Sequence, residues 1–132
     1  MKGFNQNIES LTLENENFRH VLYTAKHMQL VLMALKPGEE IGWEIHTEND
    51  QFFRFEAGQG KVTIDGNAYD VEDGSSVIIP AGARHNVQNT GGTETLKMYT
   101  IYAPPHHKDQ VIHPTKRAAK ADDQEFDGKL TE

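Results

Sequence analysis

The chain has 132 residues, 36% hydrophobic and 25% charged, enough for one domain with a real core and too apolar for a disordered tract. Its formal net charge is −7, from 13 basic against 20 acidic residues, so neither nucleic acid nor an anionic membrane is an expected partner. Cysteine is absent, which excludes disulfides, thiolate metal sites and cysteine nucleophiles.

Residues 1–16 read as a polar leader. They lack the apolar core of a signal peptide, and no later run approaches the length that spans a bilayer, so a cytoplasmic location is expected. Residues 21–23 are short, apolar and aromatic, as in a strand. Residues 28–35 are apolar except for Gln29 and run into the turn pair Pro37-Gly38, which predicts a strand buried on both faces. Residues 41–46 predict a further strand, 47–50 its loop, and 51–57 an aromatic-rich strand. After the Gly58-Gln59-Gly60 turn, residues 61–65 alternate polar and apolar, the pattern of a half-buried strand. Asp65-Gly66-Asn67 is a hairpin turn, because Gly and Asn adopt positive φ readily. Residues 68–71, 77–79, 85–88 and 96–102 complete the set.

Short strands separated by Gly, Pro and Asn turns every eight to twelve residues or so predict an all-β fold, a jelly roll or barrel that hides its strand edges. The barrel is expected over 17–103, and Pro104-Pro105 closes it. A tail over 104–132 carries a short helix at 115–126, with Thr115 as N-cap. The basic residues of that helix come early and its acidic ones late, against the helix dipole, so it needs docking to be stable.

Glu44 and His46 are two residues apart on a strand and share a face. Gln51 opens the following strand and can lie across from them as its antiparallel neighbour. His85 arrives from a distant strand, three residues after Gly82. A barrel that turns all four inward at one end presents two imidazole nitrogens, one carboxylate oxygen and one amide oxygen, a metal-ligating set. Glu48, Asp50 or a water are the alternatives to Gln51.

These positions carry a resemblance. Gly74, Pro80, Gly82, His85 and Asn89 match the defining positions of the second sequence motif of the cupins. Gly38, Glu44, His46, Gln51 and Gly58 are similar to the first motif in spacing, with Glu44 where a histidine is usual and Gln51 where a glutamate is usual. The two exchanges leave one carboxylate in the set. The stretch 50–54 and the tail through His106-His107 resemble a group of small single-domain bacterial cupins, RmlC-like jelly rolls often labelled mannose-6-phosphate isomerase-like. The resemblance implies a metal-binding barrel, commonly a homodimer, with Glu44, His46, Gln51 and His85 as ligands.

Two histidines and a carboxylate form the ligand set of non-haem iron oxygenases, and an added amide oxygen favours a harder ion. Mn, Fe, Ni, Co and Zn all remain open. The expected function is a divalent-metal-dependent enzyme acting on a small oxygenated ligand, sugar- or keto-acid-like, as an isomerase or a dioxygenase. The alternatives are a non-catalytic metal- or ligand-binding module and a structural cupin. Glu48, Asp50, Tyr99 and Tyr102 are the candidate proton carriers. Phe53 and Phe55 share the face of Gln51. Arg54 points away toward an acid, and Arg84 stands beside His85, solvated or receiving an anion. His20, His27, His106, His107 and His113 read as surface residues. Phe52 opposite Phe53, with the two-faced strand at 28–35, is more apolar surface than one small core hides, which predicts a homodimer.

Overall fold

The computed structural model describes residues 1–122 and 124–132. Ten strands and two short helices follow in the order α1 (Ile8–Glu14), β1 (Arg19–Thr24), β2 (Gln29–Leu35), β3 (Glu44–Ile45), β4 (Asp50–Ala57), β5 (Gln59–Ile64), β6 (Asn67–Glu72), β7 (Ser76–Ile79), β8 (Arg84–Asn89), β9 (Leu96–Ala103), β10 (Ile112–His113) and α2 (Lys116–Ala121). All strand pairs are antiparallel. They form a six-stranded sheet in the order β10-β1-β2-β9-β4-β7 and a four-stranded sheet in the order β3-β8-β5-β6. The expected jelly roll is the fold observed. No helix among the described residues is long and apolar enough to cross a membrane.

The core lies between the two sheets. Val31, Met33 and Leu35 of β2, Phe53 and Phe55 of β4 and Leu96 and Met98 of β9 come from the large sheet, and Val62, Val71 and Val87 from the small one. Each set follows the two-residue period of its strand. The two-faced burial of β2 is also real, since Leu32 and Ala34 on its other face are buried too. That side is covered by the N-terminal segment. Residues 8–14 are a helix, not loose leader: the Asn7 side chain accepts from Ser10 N–H as N-cap, and α1 packs on β9, β4 and β2. Part of the apolar excess assigned to a second subunit is therefore covered within the chain.

Three further expectations are corrected. Residues 41–46 are not one strand: Gly42 adopts φ +111°, its N–H is held by the Asn86 side chain, and only Glu44–Ile45 pairs regularly. Strands β3 and β4 are not neighbours but belong to opposite sheets. The C-terminal helix is shorter than 115–126. Thr115 does cap it, accepting from Ala118 N–H at 3.0 Å, but α2 ends at Ala121. Asp123, one of the acids assigned to that helix, lies outside the described residues. Beyond α2 the chain pairs with its own tail, through a His107–Glu125 bridge and Phe126 N–H to His106 O at 3.0 Å.

Glycine is required at the close of the first motif. Gly58 has φ +87°, and a Cβ there would stand 2.6 Å from Thr95 O. Gly82, at φ +89°, makes the bend before β8, and its N–H to His46 O bond at 2.8 Å fastens that bend to the segment carrying Glu44 and His46.

Candidate metal centre

Strand pairing brings the first two candidate ligands together. Glu44 on β3 is the register partner of His85 on β8, and His46 follows two residues after Glu44. Glu44 Oε2 lies 3.0 Å from His46 Nε2 and 3.8 Å from His85 Nε2. The three donor atoms all fall within 4.8 Å of one another, a cluster that can hold a metal ion.

Hydrogen bonding sets the state of His85. Its Nδ1–H donates to Ala83 O at 3.0 Å, which leaves Nε2 as a bare acceptor. That Nε2 is buried with no hydrogen-bond partner. Burial holds the imidazole below its usual range, so the ring is neutral and its lone pair free at neutral pH. For Glu44, burial alone would raise the carboxyl. The hydrogen bond from His46 and the charges of His46, His85 and Arg19 outweigh it and hold the group below the ordinary carboxylate range. An ionised carboxylate and the bare Nε2 of His85 suit a divalent cation, which would take the place of the proton between His46 Nε2 and Glu44.

Gln51 comes from the opposite wall. It is 2% exposed and is the register partner of Tyr102, whose ring centroid is 5.7 Å from that of His46, so it sits at the same end of the barrel. Its Nε2 donates to Thr100 Oγ1 at 3.0 Å, which fixes the amide and leaves the buried Oε1 without a partner. A buried acceptor left open is expensive, of order 1–3 kcal/mol. Gln51 thus approaches across the interior, not as the strand neighbour expected. Glu48 is exposed, and Asp50 Oδ1 accepts from Ala81 N–H at 2.9 Å; neither belongs to the cluster.

The tail supplies residues that sequence reasoning missed. His106 and His107 are half-buried and held against the site, not free in solvent. The His106 ring is 4.5 Å from His46 and stacks on Tyr102 at 5.2 Å, while His107 Nε2 meets Tyr102 Oη at 3.2 Å. Gln29 holds them there. Its Oε1 accepts from the N–H groups of His106 and His107, and its Nε2 donates to His107 O at 2.7 Å. A lone glutamine inside an apolar strand was the available signal, because a buried amide must find partners. His113 is also buried, bonded to Arg19 and Asp122.

Of the candidate proton carriers, Tyr99 lies on the outer face beside Phe52, and only Tyr102 borders the cluster. Burial pushes the Tyr102 hydroxyl well above its usual range, so it stays protonated. His106 and His107 are held low first by burial, His107 the further of the two, with Arg19 the next cause at His107. Arg54 pairs with Glu56 at 2.9 Å, away from the core. Arg84 is outside as well, stacked on Trp43 with its guanidinium carbon 4.0 Å from the ring centroid.

Residues 31–102 match the family model described as Cupin domain. The chain belongs to the cupin family. This cupin is 47% identical over 127 residues to the uncharacterized protein YrkC of Bacillus subtilis, covering 91% of its own length and 67% of that protein. It is 43% identical over 105 residues to the uncharacterized protein L612 of Acanthamoeba polyphaga mimivirus, covering 76% and 65%. The chain thus spans about two thirds of these curated relatives. The solved structure of BH2720 from Bacillus halodurans superposes with a TM-score of 0.89 at 43% identity, covering 92% of this cupin and 96% of that chain.

Proposed function

We propose that this cupin is a divalent-metal-dependent enzyme that acts on a small oxygenated molecule, sugar- or keto-acid-like, by isomerisation or oxygenation. One observation carries the reading. Two buried acceptors, His85 Nε2 and Gln51 Oε1, stand open at the same barrel end as the Glu44–His46 pair. Glu44, His46, Gln51 and His85 would hold the ion. A bound divalent cation acts as a Lewis acid toward a carbonyl oxygen and eases removal of a neighbouring proton.

The chain's own residues suit such a site. Phe53 and Phe55, stacked on each other and buried, continue the strand face of Gln51 into an apolar core. Tyr102, fixed by His107, is a protonated donor at the wall. His106, half-buried and neutral, can take a proton at its ring.

The test is elemental analysis of protein purified without added metals, paired with a substrate panel of hydroxy-ketones and keto acids. One divalent ion per chain with turnover that His85→Ala abolishes is the expected result. An ion with no turnover, and a melting temperature that drops on chelation, would leave the structural alternative instead.

The proposal extends to a homodimer. Ile78, Phe52, Ile101, Leu30 and Tyr23 form a register row across the outer face of the large sheet, and Ile78 is 66% exposed. A flat apolar row of this kind suits a second copy. Light scattering that returned a monomer mass at micromolar concentration would remove this part.

A further inference from the structure

We propose that Arg19 is the anion-binding half of the cavity that opens onto the candidate metal centre, so that the ligand of this cupin carries a carboxylate or phosphate. The inference names the substrate class of the site proposed above and rests on that reading for the other end of the ligand.

Arg19 opens β1 on the face that carries Val21 into the core. It lines a cavity of about 280 Å³ together with Glu44, His106, His107, Lys116 and Lys120. One cavity therefore touches both the cluster carboxylate and a guanidinium. Its volume is at the small end for ligand sites, which suits a compact metabolite.

The guanidinium is held in place. Arg19 Nη1 donates to His113 Nδ1 at 3.3 Å, and His113 Nε2–H donates to Asp122 Oδ2 at 3.0 Å. This chain fixes the His113 tautomer and one edge of the arginine fork. The other edge, Nε and Nη2, is left over. Nε is buried without a hydrogen-bond partner among the described residues. A charged buried donor without an acceptor is costly, and a carboxylate or phosphate takes two adjacent guanidinium N–H groups at once.

The nearby acids do not fill that role. Glu44 faces His46 and His85, and Asp122 is engaged by His113. No carboxylate pairs with Arg19 among the described residues, although Glu125 also lines the cavity. Lys116 and Lys120, one turn apart on α2, add positive charge to the same wall. Arg84, the arginine suggested by sequence position, is outside and stacked on Trp43.

The experiment is calorimetric titration of metal-loaded and chelated protein with pyruvate, dihydroxyacetone phosphate and neutral dihydroxyacetone. At least one anion should bind about tenfold or more tightly than the neutral probe, and the better of the two tells carboxylate from phosphate. Arg19→Gln should erase that preference while metal per chain stays at the wild-type value. Should Arg19→Gln fail to fold, Arg19→Lys keeps the charge and stem but loses the fork, and should retain only part of the preference. Equal affinity for charged and neutral probes, or a preference that survives loss of Arg19, overturns the proposal. Anion preference without metal uptake would sink the metal reading alone, and metal uptake without anion preference would sink this one alone.

Discussion

His85 and Asn89 are four residues apart on β8, and both point into the barrel, but their polar atoms meet different fates. Asn89 is saturated. Its Nδ2 donates to Leu35 O at 2.9 Å and Glu94 O at 2.8 Å, and its Oδ1 accepts from Gly91 N–H at 2.9 Å. His85 is satisfied at Nδ1 only, and its Nε2 shares the open mouth with the unpaired Oε1 of Gln51. Both are positions of the same motif, yet one ties the loops at the far end and the other keeps an open acceptor. Buried polar atoms normally find partners within the chain. Two left open at one place, beside Glu44 and His46, are the atoms that the proposed ion would satisfy.

The largest effect that can break this contrast is on the ion. His85→Ala should lower metal affinity at least about a hundredfold, because even groups behind a ligand are worth roughly ten- to a hundredfold. The metal-free variant should stay folded, read by circular dichroism. Next, Asn89→Ala should leave metal uptake unchanged but lower stability in urea by about 2–4 kcal/mol, because it strands two carbonyls and an N–H. If the two variants exchanged phenotypes, the division between the ends of β8 would be wrong.

Gln51→Leu sharpens the comparison. The change removes an unsatisfied acceptor but also the donor to the buried Thr100 Oγ1, so metal-free stability should fall by only about 1–2 kcal/mol. Metal affinity should fall about tenfold if Gln51 is a ligand. Unchanged affinity would assign that position to water.

The smallest effect is on pH. His85, His106 and His107 are all held below the usual imidazole value of 6.5, first by burial. The unfolded chain therefore binds protons before the folded one does. The stability of the chelated protein should be full above about pH 6.5 and fall as the pH drops through that value toward the lowered folded values. Melting temperatures of chelated protein between about pH 7.5 and 5 check the sign, and His85→Ala should flatten part of the slope.

Much of this was legible in the sequence because it depends on local rules. Gly and Pro turns bound strands wherever they occur, and residues two apart on a strand share a face, which pairs Glu44 with His46; His85, on a distant strand, joins them through the resemblance to the second cupin motif. What was hidden depends on long-range packing. The loop at 47–49 looks like a hairpin loop, but it carries the chain from the small sheet to the large one, so Gln51 faces the cluster from across the barrel. The tail histidines read as solvated because their anchor, Gln29, lies 77 and 78 residues earlier. Arg19 had no motif at all; only the closing of α2 and β10 over the mouth gives it a cavity to face. The helix at 8–14 was missed for the same reason, since seven residues with one capping asparagine are stable only against the sheet they cover.

The most direct test of the central claim is an anomalous-difference map from crystals of protein carrying its own metal. One peak is expected about 2.0–2.3 Å from the Glu44 carboxylate, His46 Nε2 and His85 Nε2, with Gln51 Oε1 completing the protein donors. A peak held by the tail histidines instead, or protein with bound metal and no peak at the cluster, would contradict it.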